Sequence, residues 1–98
     1  MAATPPATLP AYDGWVGTRR EELGKTVVLF GQAPADNDIV AVQARQRELL
    51  EQAGLRIVST DREGQAEAEI SFDGASEGSV QILPLCAKTV AIRFRIIR

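Results

Sequence analysis

Thr26-Val27-Val28-Leu29-Phe30-Gly31, the run Ile39 to Ala53, and Leu55-Arg56-Ile57-Val58-Ser59-Thr60 are the stretches whose reading decides the fold. The first is apolar on successive residues, the pattern of a strand buried on both faces. The second sets Ile39, Val42, Leu49, Leu50 and Ala53 on one helical stripe, interrupted by Gln46. Asp36, Asn37 and Asp38 precede that helix, where their oxygens can accept from its first free N–H groups and their charge suits its dipole. Gly54 follows the last turn, where a left-handed residue is wanted, and Leu55 is placed to fold back on Leu50 in a Schellman arrangement. The third stretch is rich in β-branched residues. Together they predict a βαβ unit over residues 26–60, whose crossover would be right-handed.

Beyond Thr60 the pattern changes. Asp61-Arg62-Glu63-Gly64 reads as a turn. From Ala66 to Asp73 apolar and polar residues alternate, the period of a half-exposed strand. A helix competes there, because Gln, Ala and Glu are good helix formers. Residues 74–78 read as a loop, and Ser76 within it has no base to activate it. Val80 to Leu83 reads as a short strand stopped by Pro84, as suits an edge. Thr89 to Ile97 alternates again. Val90, Ile92, Phe94 and Ile96 face one way, and Ala91, Arg93, Arg95 and Ile97 the other. Glu67, Glu69 and Asp73 are expected opposite Arg93 and Arg95 on antiparallel neighbours.

Before Thr26, Thr18 and Glu21 form a capping box, predicting one or two helical turns that end at Gly24. Tyr12 and Trp15 are expected to fasten the preceding segment onto the core. Residues 1–11 read as a disordered or extended arm and residues 12–98 as a single domain. The fold class is therefore α/β (or α+β): a two-layer domain built on the βαβ unit, with an antiparallel C-terminal strand segment.

Composition narrows the function classes. The chain has 98 residues, a net charge of −2, no histidine and one cysteine, Cys86. A chain of this length can bury a core without staples. Neither a nucleic-acid partner nor a membrane is expected from its charge and hydropathy pattern. Histidine triads and most zinc sites are excluded, and so is an internal disulfide. Cys86 reads as a small buried hydrophobe. With no secretory leader pattern in the first residues, a cytoplasmic protein is expected.

Ligands of open α/β sheets sit beyond the carboxyl ends of parallel strands. That marks Gly31, Gln32, Pro34, Asp61 and Arg62 as a possible ligand edge. The first loop lacks the phosphate-loop pattern. Asp36, Asp38 and Asp61 are weak candidates for holding Mg²⁺ or Ca²⁺, with capping and turn formation the ordinary use of such residues. No cofactor is expected.

The run Lys25 to Pro34, followed by a helix, resembles the opening of a thioredoxin-like domain. Ala33-Pro34-Ala35-Asp36-Asn37-Asp38 and Gln46-Arg47-Glu48-Leu49-Leu50 also resemble a bacterial thioredoxin-like domain of unknown function. The likeness covers about residues 25–60. In redox-active relatives the helix start carries Cys-x-x-Cys; here Ala, Asp and Asn stand there, so that chemistry does not carry over. The leading expectation is a non-catalytic small binding module of unknown ligand and protein partner. A degenerate thioredoxin-like redox-related protein and a metal-dependent enzyme at the acidic strand ends are the alternatives. A homodimer through an exposed 89–97 edge strand is also expected.

Overall fold

A computed structural model describes residues 10–35, 38–85 and 88–97. In chain order the elements are β1 (Val16–Leu23), β2 (Thr26–Pro34), α1 (Ile39–Gln52), β3 (Arg56–Glu63), β4 (Glu67–Asp73), β5 (Glu77–Pro84) and β6 (Thr89–Ile97). The strands form one sheet in the order β1-β2-β6-β5-β4-β3, and every neighbouring pair is antiparallel. The domain is therefore α+β, with six antiparallel strands and one helix among the described residues.

This corrects the βαβ expectation for residues 26–60. The strand–helix–strand order is present, and β2 and β3 run in the same direction, but they are not neighbours. β6, β5 and β4 lie between them, a separation of about 19 Å at the usual strand spacing. The reason is that β2 has no free side. β1 takes one of its edges and β6 the other.

β1 is the segment expected to be helical. Leu23 pairs with Thr26 across the two-residue link Gly24-Lys25, and Gly24 has φ +64°. A glycine with positive φ at the first of two loop positions is what a type II′ hairpin turn requires. The ion pairs Arg19–Glu21 and Arg20–Glu22 join residues two apart. Such residues share a face on a strand and do not meet on a helix. β3 likewise extends through Asp61-Arg62-Glu63, so the turn falls at 64–66 instead of 61–64. The 89–97 segment is not an edge either: β6 pairs with β2 on one side and β5 on the other. β5 is also interior, and Pro84 stands at its end. The edges of the sheet are β1 and β3.

The helix reads as expected at both ends. Asp38 Oδ1 accepts from the Val40 and Ala41 N–H groups at 3.1 and 3.3 Å. At the other end Gly54, with φ +85°, donates to Glu51 O, and Leu55 donates to Leu50 O at 3.1 Å, completing a Schellman motif. α1 lies against β3, β4 and β5 on one face of the sheet. Ile39, Val42 and Leu50 are buried there, facing Ala68, Ile70, Phe72, Val80 and Ile82. Gln46 sits fully buried within the stripe; its Nε2 donates to Pro10 O at 2.9 Å, tying the N-terminal segment to the helix, while its Oε1 has no hydrogen-bond partner among the described residues. Arg45 adds a second tie, with Nε and Nη2 on the two oxygens of Asp13 at 2.9 and 3.3 Å.

Trp15 covers part of the same face over β2 and β6. Its Nε1 donates to Ile92 O at 3.0 Å, and its ring meets Phe94 edge-on at 5.2 Å and 83°. Gly31 lies beneath the indole, where a Cβ would run into both the ring and the Val16 carbonyl. A Cβ on Gly78 would collide with the Arg95 carbonyl across the β5–β6 pair. Gly31→Ala and Gly78→Ala are each expected to lower unfolding free energy by about 1–3 kcal/mol through overpacking. Urea denaturation checks this, and a change within about 0.5 kcal/mol in either variant would contradict it.

Candidate functional site

The side of the sheet away from α1 is uncovered among the described residues. Strand alternation decides what stands on it. On β6 the inward residues Val90, Ile92, Phe94 and Ile96 are buried, which turns Ala91, Arg93, Arg95 and Ile97 outward. Pairing registers then draw one row across all six strands: Arg19, Phe30, Arg93, Gln81, Glu69, Asp61. The row runs from basic to acidic. The Arg19 guanidinium lies 4.1 Å from the Phe30 ring centroid, a cation–π contact that leaves Phe30 half-buried.

Three shallow grooves cross this face, and they converge on Arg93 and Arg95. The first, about 260 Å³, runs between Phe30, Leu83, Leu85 and Arg93. The second runs between Leu23, Val28, Arg93 and Arg95. The third connects Arg95 and Ile97 to Val58, Ser71 and Glu69. Among the described residues, five of the seven exposed large hydrophobic side chains line these grooves: Leu23, Val58, Leu83, Leu85 and Ile97.

Arg93 and Arg95 have no acidic partner among the described residues. The expectation that Glu67, Glu69 and Asp73 pair with them is corrected, because β5 intervenes between β4 and β6. Glu67 instead accepts from Gln81 Nε2 at 2.6 Å, and Asp73 accepts from Arg56 Nε at 2.8 Å. The hydrogen bond from Arg56, with the attraction of its charge, holds the Asp73 carboxyl below the usual carboxylate range, against the opposing effect of desolvation.

The sequence-derived ligand edge does not assemble. Gly31, Gln32 and Pro34 belong to β2, whereas Asp61 and Arg62 belong to β3 at the far edge. Gly31 is taken up by Trp15, and Gln32 is exposed on the open face. Asp38 caps α1, and Asp61 Oδ1 accepts from the Arg62 N–H at 2.8 Å. Gln43 Nε2 donates to the Asp61 and Glu69 carbonyls at 2.9 and 3.1 Å, tying α1 to the β3–β4 hairpin. Asp36 and Cys86 lie outside the described residues. Among the described residues no cluster of acidic or sulfur ligands could hold a metal ion. No helix among the described residues is long and apolar enough to cross a membrane.

Arg93 and Arg95 were legible as outward-facing residues. Their isolation was not, since it depends on strand order. Comparison with family models, with curated proteins and with solved structures finds no match to this chain.

The Asp73 shift has a pH consequence. A depressed folded-state pKa contributes stability above the ordinary carboxylate range, and that contribution is lost as pH falls through the lowered value. Wild type and Asp73→Asn should therefore differ at about pH 6 and converge towards about pH 2. Denaturation curves at the two pH values check this. An equal difference at both would contradict it.

Proposed function

We propose that this chain is a non-catalytic binding module that takes an acidic, partly apolar polypeptide segment on the open face of its sheet. The observation carrying this reading is the pair Arg93 and Arg95, side by side on an interior strand, without acidic partners among the described residues and at the junction of three grooves lined by apolar side chains, two of them also by carboxylates. Guanidinium groups offer carboxylates two parallel donors, and the adjoining Phe30, Leu83 and Val28 offer apolar contact. Guanidinium groups without acidic partners, set beside apolar side chains, favour partners that bring both carboxylates and apolar side chains. Neither a thioredoxin-like redox protein nor a metal-dependent enzyme has an observation of this kind in its favour.

The test is amide chemical-shift mapping with a short peptide of alternating Glu and Leu as the probe. Shifts are expected on β2, β5 and β6 around Arg93. They should weaken with added salt and be lost in Arg93→Glu/Arg95→Glu. Shifts confined to α1, or unchanged by the double substitution, would contradict the reading.

A further inference from the structure

We infer that the partner this face is built for includes a second copy of the chain, the two sheets packing face to face about a two-fold axis. The inference rests on the reading of the open face as a binding surface and names its occupant.

The first ground is charge complementarity within one face. Arg93 and Arg95 stand on β6 and have no acidic partner. Two strands away on β4, Glu69 has no basic partner among the described residues, and the carboxylate of Asp61 beside it on β3 accepts there only from its neighbour's backbone N–H. Within one copy these groups are kept apart by β5. A symmetric dimer uses the same patch twice, so that patch must be complementary to itself. An axis along β5, midway between the facing sheets, sets β6 of one copy over β4 of the other and keeps the register rows aligned. Arg93 then stands over Glu69, and the reverse contact repeats it, while Arg95 falls over Ser71, one step along β4 from Glu69, and Asp61 over Phe30.

The second ground is what falls on the axis. β5 must face its own copy, where like charges would repel. Its outward residues there are Ser79, Gln81 and Leu83, with Glu77 only at the strand end.

The third ground is area. With the axis along β5, five strands of each copy, β2, β6, β5, β4 and β3, face each other, and at about eight residues a strand they offer about 600 Å² per copy, the lower end of the range for specific complexes. The exposed Val58, Leu83 and Ile97 would be covered by such packing. Facing sheets pack about 10 Å apart, within reach of Arg and Glu side chains from both sides.

Sedimentation velocity of the full chain at about 50 µM tests this, because association depends on protomer concentration. A dimer is expected at low ionic strength, weakened about tenfold or more at about 1 M salt, where screening is nearly complete. Arg93→Glu/Arg95→Glu alone should be monomeric, and so should Asp61→Arg/Glu69→Arg alone. An equimolar mixture of the two should recover a 1:1 dimer. Circular dichroism shows whether each variant is folded, and Arg93→Gln/Arg95→Gln replaces the first if it is not. A monomeric wild type overturns the inference. So does a dimer that survives both charge reversals but is broken by Thr60→Pro on the β3 edge. If the wild type is monomeric yet the Glu-Leu peptide still binds at Arg93, only the choice of partner fails. If neither binds, the reading of the face fails as well.

Discussion

The two-sided pairing of β6 is the constraint on which the rest of the structure depends. Its register with β2 and β5 is set by parity. Val90, Ile92, Phe94 and Ile96 must all point to the covered face, and a slip of one residue would send Arg93 and Arg95 into the core. Once β6 occupies the free side of β2, the strand that follows α1 cannot dock there. It enters the sheet at the opposite edge, and three successive hairpins return the chain to the centre. The order β1-β2-β6-β5-β4-β3 follows from that single competition for β2.

Placement of the helix follows as well. α1 covers the half of the sheet that its own downstream strands build, and the segment ending in Trp15 reaches the other half. Gln46 and Arg45 join these two covers through Pro10 and Asp13. With both on one side, the same alternation that fills the core leaves an opposite face of arginines, acids and scattered apolar residues. The candidate binding surface is thus the other half of the packing solution for β6.

What the sequence disclosed was local. The helix ends were legible because Asp38, Gly54 and Leu55 act through bonds within a few residues. The facing of β6 was legible because alternation needs no knowledge of neighbours. Trp15 was correctly placed on the core. Strand order was not legible, since it is a competition between distant segments for the same edge. Successive apolar residues in β2 suggested burial by helices on both sides. Val28 is instead buried on the open face, among long side chains such as that of Arg95, its register partner. The Thr18–Glu21 capping box misled because the same letters serve a strand. The spacing of two between Arg19 and Glu21, and Gly24 at a two-residue link, were the signals for a hairpin. The ligand edge failed with the parallel pair on which it was premised.

Native-state hydrogen exchange of β6 tests this arrangement most directly. In an interior antiparallel strand, successive amides donate alternately to the two neighbours, so every amide from Val90 to Ile96 should be protected and exchange only with global unfolding. Alternate amides of the edge strands β1 and β3 should exchange far faster. If β6 itself shows alternating fast and slow exchange, it is an edge strand, and both the sheet order and the open face derived from it are wrong.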